Sequence, residues 1–164
     1  WVREPRADQV LEQLLKKFGN DYMLFNYTSP VRHVLLAPNS LYVILVKNVD
    51  GKITVDGHRI SRKFTLRRLF RLLGDESLAA PMSDAEKQVG RLHKFLSKDL
   101  VDEEIPEIKP MILFSNKNAD LTVNNPAIPV MPTKGFKSFL REEGKARNIS
   151  AEQRKRLAEV LANE

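Results

Sequence analysis

A chain of 164 residues with no cysteine excludes disulfides, zinc–thiolate sites and a cysteine nucleophile, while being long enough to bury a core without such staples. No apolar run reaches the length of a bilayer span and no signal peptide is visible. The charge of +6, from 27 basic and 21 acidic residues, favours nucleic acid or another anion over acidic partners. One domain over residues 1–164 is expected, and a start at Trp1 rather than Met suggests a fragment of a longer protein whose flanks carry any targeting or membrane segment.

In chain order, residues 6–18 predict a helix, with Val10, Leu11, Leu14, Leu15 and Phe18 at helical spacing and Gly19-Asn20 ending it. Asp8, in its first turn, has a sufficient local reason as an acid favoured by the helix dipole. Residues 21–28 predict a short extended segment. Residues 31–48 then hold two apolar runs around Pro38-Asn39-Ser40. The second, Leu41–Val46, is apolar on both sides, as a central strand must be, and ends at Lys47. Asp50-Gly51 and Asp56-Gly57 are turn signals, so the strands from 31 to 60 are expected to form an antiparallel meander.

Residues 64–73 predict a helix. Arg59, Arg62, Lys63, Arg67, Arg68 and Arg71 form a basic run without an acid, and two readings stand: an anion-binding patch, or a solvated face flanked by Asp75 and Glu76. Gly74–Met82 reads as a loop. Ser83 and Glu86 have capping-box spacing and open a helix through Leu100, with Val89, Leu92, Leu96 and Leu100 buried. Gln88 falls on the inward side of that helix, as a structural hydrogen bonder or as a group pointing into a site. Val101–Pro110 reads as an acidic connector, Met111–Phe114 as an inner strand and Ser115–Asp120 as a loop. Leu121–Val123 and Ile128–Met131 read as short pieces held to edges by their prolines. A short helix is expected at Gly135–Leu140, and a last one from Ser150, capped with Gln153 and preceded by Ile149 as an apolar staple. This order predicts an α/β/α sandwich with a mixed sheet. His33, His58 and His93 do not have metal-site spacing, and no phosphate-binding glycine loop or hydrolase elbow is present.

The stretch VRHVLLAPNSLYVILVKNVDGKI, residues 31–53, resembles the nuclease-related domain (NERD) family of the PD-(D/E)xK restriction-endonuclease-like superfamily. His33, Val34, Pro38, Tyr42, Val43, Lys47, Asn48, Gly51 and Ile53 fit the family's layout of His-Val, an apolar strand, a turn, a strand ending in Glu-x-Lys-Asn and a Gly-x-Ile turn. The likeness extends over about residues 4–115. Asp8 falls at the acid of the first helix, and Gln88 at a glutamine of the later one. The resemblance implies a restriction-endonuclease-like α/β/α sandwich with a mixed central sheet.

In the family's active pattern two carboxylates hold Mg²⁺ beside the lysine. Here Arg32 and Leu45 fall at those positions. Leu45 offers no ligand and Arg32 repels a cation. The resemblance therefore implies a catalytically inactive domain with no cofactor, whose vestigial site is Asp8, Arg32, Leu45, Lys47 and Gln88. Its preferred role is phosphate contact through Arg32, Lys47 and the Arg59, Arg62, Lys63, Arg67, Arg68, Arg71 run. Such contact is salt-sensitive and sequence-independent. Two alternatives stand beside it. One is an active Mg²⁺-dependent DNA nuclease with relocated acids such as Asp8, Asp50 or Asp56. The other is a protein-interaction or membrane-adjacent regulatory domain serving the other domains of a parent chain. Binding to nucleic acid would place it on the cytoplasmic face, with a membrane tether in the missing flanks.

Overall fold

A computed structural model describes residues 4–63 and 80–162. Among these, five strands form a mixed sheet in the order β1 (Met23–Asn26), β2 (His33–Leu36), β3 (Leu41–Lys47), β6 (Ile108–Phe114), β8 (Val130–Pro132). The first three run antiparallel, while β3–β6 and β6–β8 are parallel. A second mixed sheet holds β5 (Arg59–Arg62), β4 (Gly51–Asp56) and β7 (Ala119–Asn124). Four α-helices complete the described residues: α1 (Ala7–Leu15), α2 (Pro81–Leu96), α3 (Thr133–Glu143) and α4 (Ala151–Ala162).

Strand alternation decides which helix covers which face. Leu41 and Val43 of β3, with Val34 and Leu36 of β2, pack under Leu92 and Leu96 of α2 and Leu157 and Leu161 of α4. Tyr42 and Ile44, with Leu35, Met111 and Leu113, pack under Leu11 of α1 and Phe136 and Leu140 of α3. The period of two thus turns one apolar strand into two cores. A third core joins the sheets: Ile53 and Val55 of β4 meet Ile112 and Phe114 of β6, with Met82 and Ala85 of α2.

The β2–β3 hairpin and the central, doubly buried β3 agree with the sequence. Its loop is closed by the Ala37 N–H on the Ser40 carbonyl at 3.0 Å, and the buried Asn39 donates to the Tyr42 hydroxyl at 2.8 Å. The edge positions of the proline-limited strands also agree, since β7 and β8 end their sheets. Ser150 caps α4 as expected, its hydroxyl accepting from the Gln153 N–H at 3.1 Å. The Gln153 side chain, however, bonds to the Glu104 carbonyl instead of reaching back.

The structure corrects five expectations. The strands from 31 to 60 are not one meander, because β3 gives its free edge to β6 and β4 pairs with β5 and β7. The long-range partner offers the buried apolar run Met111–Phe114, and local turn signals carry no trace of it. The α2 helix begins at Pro81, not Ser83: proline at the first helical position is already set for helical φ and lacks the N–H that would go unpaired. No side chain caps it, so the Ser83–Glu86 box does not form. The first helix stops at Leu15 rather than 18, where Phe18 turns back through a bond from its N–H to the Leu15 carbonyl at 2.9 Å and packs edge-on against Tyr22. The connector and loop flanking Met111–Phe114 are partly ordered: 102–104 form a 3₁₀ turn, β6 starts at Ile108, and β7 starts at Ala119. The expected helix over 64–73, and Arg67, Arg68 and Arg71 on it, lie outside the described residues.

Tyr42 gives a test of the buried hairpin. Burial pushes its hydroxyl up to about 12, with the Asn39 hydrogen bond opposing and Glu143 adding to the rise. The folded state therefore holds the Tyr42 proton after the unfolded chain has released its own near pH 10. The associated stability is intact below pH 10 and falls as pH rises through about 12, by roughly 2–3 kcal/mol. Denaturant midpoints measured from pH 9 to 12 should show a shallower decline for Tyr42→Phe.

Candidate functional site

The C-terminal half of β3 emerges from the core as the sequence turns from Val43 and Ile44, both buried, to the half-buried Leu45, Val46 and Lys47. Lys47 shares a face with Leu45 and Val43 by strand alternation. The cleft that opens there has a volume of about 540 Å³. Leu45 and Lys47 line it from β3, Arg32 and His33 from the turn into β2, and Asp84, Gln88 and Arg91 from α2. The α2 residues stand at helical positions i, i+4 and i+7, one stripe beside the buried Ala85–Leu92–Leu96 stripe.

Four of the five vestigial-site residues read from the sequence therefore meet in one concavity: Arg32, Leu45, Lys47 and Gln88. Asp8 is not on its lining, though its neighbour Ala7 is. Asp8 stands in the first turn of α1, where the helix dipole favours an acid, and is also buried, only 8% exposed. Arg6 donates to its Oδ2 at 2.9 Å and its Oδ1 has no partner among the described residues. Leu45 packs against both the α2–α4 core and the core between the sheets, and so forms the floor where they join.

Charge in the cleft is predominantly positive. Among the described residues none of Arg32, Lys47 or Arg91 has a carboxylate within 4.0 Å. Asp84, an exposed residue, is the single acid on the lining among the described residues. The Oε1 of Gln88 is buried on the wall without a hydrogen-bond partner among the described residues. No group of three His, Asp or Glu residues able to hold a metal ion occurs among the described residues.

His33 is buried, and its Nδ1 lies 2.8 Å from Oδ1 of Asn26, the residue opposite it in the β1–β2 register. Burial lowers its pKa below the ordinary 6.5, the Asp8 carboxylate opposes this, and Arg32 adds to it. The unfolded chain thus takes up a proton at His33 before the folded one does. Stability linked to His33 is intact above pH 6.5 and falls as pH drops below it. Urea midpoints at pH 7.5 and 5.5 should differ less for His33→Gln than for the parent chain.

Among the described residues, no member of the basic run lines this cleft. Arg59 is exposed and lines a separate groove with His58, Pro81 and Glu86, and Lys63 is exposed just beyond β5. Arg62 is bound to Asp50 by an ion pair and is 13% exposed at its side chain, so the pair holds both β5 and the entry to β4. A larger groove of about 840 Å³ runs along the outer side of α1 near Thr133, but Glu12 and Lys16 on its wall offset one another.

Sequence reading missed Asp84, Arg91 and Tyr27. The first two lie one helical turn either side of Gln88, so its spacing was enough to find them. Tyr27 had no such signal, because a turn brings it there.

The nuclease-related domain (NERD) family matches residues 1–115, which carry α1, β1 to β5, α2, β6 and every described residue lining the cleft. No curated protein and no solved structure matches the chain. Matched over more than half its length by that family, with the motif strand ending in the cleft, the chain belongs to the nuclease-related domain family.

Proposed function

We propose that this domain holds the phosphates of a nucleic acid in the β3–α2 cleft without cutting them, on a restriction-endonuclease-like α/β/α scaffold. One observation carries the reading: Arg32, Lys47 and Arg91 surround a concavity floored by Leu45, and none has a carboxylate within ion-pair reach among the described residues. Cations left unpaired around a groove are an electrostatic site for phosphate oxygens.

The family's Mg²⁺ chemistry does not fit this donor set. Mg²⁺ requires hard oxygen ligands in near-octahedral array. Leu45 has none and is committed to two cores, and Arg32 adds a fixed positive charge. A nuclease with relocated acids needs at least two carboxylates at a common point. Asp84 is the only one on the lining among the described residues. Asp8 is engaged by Arg6 and Asp50 by Arg62, and Asp56 belongs to the second sheet. The run from Arg59 to Arg71 is an extension of this reading along a bound strand, with Arg59 and Lys63 as its exposed described members.

Titration of labelled single- and double-stranded DNA at 50 and 200 mM salt, with a parallel cleavage assay in Mg²⁺ and Mn²⁺, tests both halves. Binding that weakens steeply with salt and leaves the DNA intact is expected. Salt-independent or absent binding removes the phosphate role, and metal-dependent cutting removes the inactivity.

A further inference from the structure

We propose that the cleft takes an unpaired strand, and that Tyr27 at its mouth is the platform on which one base stacks. The inference rests on the phosphate-binding reading and narrows it to single-stranded nucleic acid.

Tyr27 follows β1 directly and has φ 61°, in the left-handed region. Glycine and asparagine enter that region readily, whereas a bulky side chain is strained there. The conformation is locked by the bond from the Tyr27 N–H to the Arg32 carbonyl at 2.8 Å, which closes the turn that delivers Arg32 to the cleft. Burial does not offset the strain, because the residue is 56% exposed, the one exposed tyrosine or phenylalanine among the described residues. Its one ring contact among the described residues is with His33, centroids 5.4 Å apart and planes at 68°. His33 is itself buried and fixed by Asn26. The ring is therefore braced from one side and open on the rest, lining the same cleft as Arg32, Lys47 and Arg91.

Strained, exposed and braced is the condition of a side chain kept for contact rather than for the core. An aromatic face beside cations that track a backbone is the arrangement that binds unpaired bases without sequence preference. Bases within a duplex are already stacked on one another and offer Tyr27 no face.

Fluorescence anisotropy with three labelled probes tests this on the 164-residue chain: an oligothymidine, an abasic strand of equal length, and a duplex. The parent chain should bind oligothymidine roughly tenfold more tightly than the abasic strand, within the range of one stacked base. Tyr27→Ala should erase that preference and leave abasic affinity and its salt slope unchanged, while Tyr27→Phe keeps it. Tyr27→Asn, which accepts the left-handed backbone, repeats the loss without the residual strain. Equal losses on both single strands, or a preference that survives Tyr27→Ala and Tyr27→Asn, overturn the stacking role. Salt-dependent abasic binding without any base preference sinks Tyr27 alone. No salt-dependent binding of any probe sinks the phosphate reading and this inference with it.

Discussion

Replacing Arg32, Lys47 and Arg91 together by glutamine should remove most of the salt-dependent binding of nucleic acid. Each cation that neutralises a phosphate contributes about −0.7 to the slope of log affinity against log salt for a single strand. Three contribute a slope of about −2, so over a fourfold rise in salt they account for a roughly twentyfold loss of affinity. The variant should lose that share, and any slope that remains belongs to the Arg59–Arg71 run. Net charge alone does not account for the difference if a control of equal charge behaves as the parent does. Lys16, Lys134 and Lys155, all exposed and away from the cleft lining, provide it. Both triple variants carry +3, since 6 − 3 = 3. A control that loses as much slope as the cleft variant would assign the binding to diffuse charge and dismiss the cleft.

Phe136→Ala should cost about 3–5 kcal/mol of folding stability, the range for deleting a fully buried aromatic side chain. Phe136 is 0% exposed and packs with Leu11, Tyr42, Ile44 and Met111. It lies in α3, beyond residue 115, where the family match ends. The expected loss is therefore also a statement about folding: the chain after 115 supplies one wall of the core under β3. Urea unfolding should show a lower midpoint with an unchanged slope. Val123→Ala, at a side chain 37% exposed on an edge strand, should change stability by less than about 0.5 kcal/mol. A Phe136→Ala loss as small as that would mean α3 is not part of the cooperative unit.

Particular residues mark how far sequence reading reached. Leu41–Val46, apolar on both sides, could only be a central strand, and Gln88 on the inner side of its helix does reach the cleft wall. Both signals are periodic and local. Asp8 was legible as an acid in a first turn, yet its burial depends on what packs around it. Arg62 was legible as one member of a basic run. Its removal into an ion pair depends on Asp50, which the β4–β5 hairpin brings back to it.

The sequence by itself determined the existence of the four described helices, the hairpin around Pro38-Asn39-Ser40 and the edge strands. These follow from residue type and from periods of two and 3.6, which act over a few neighbours. Only the tertiary structure decided that β3 pairs with β6 rather than β4, that Leu45 joins two cores, and that Arg91 and Tyr27 share a cleft with Arg32 and Lys47. Pairing between distant segments is chosen by burial summed over the whole chain, and a local pattern holds no record of which distant strand offers the better face.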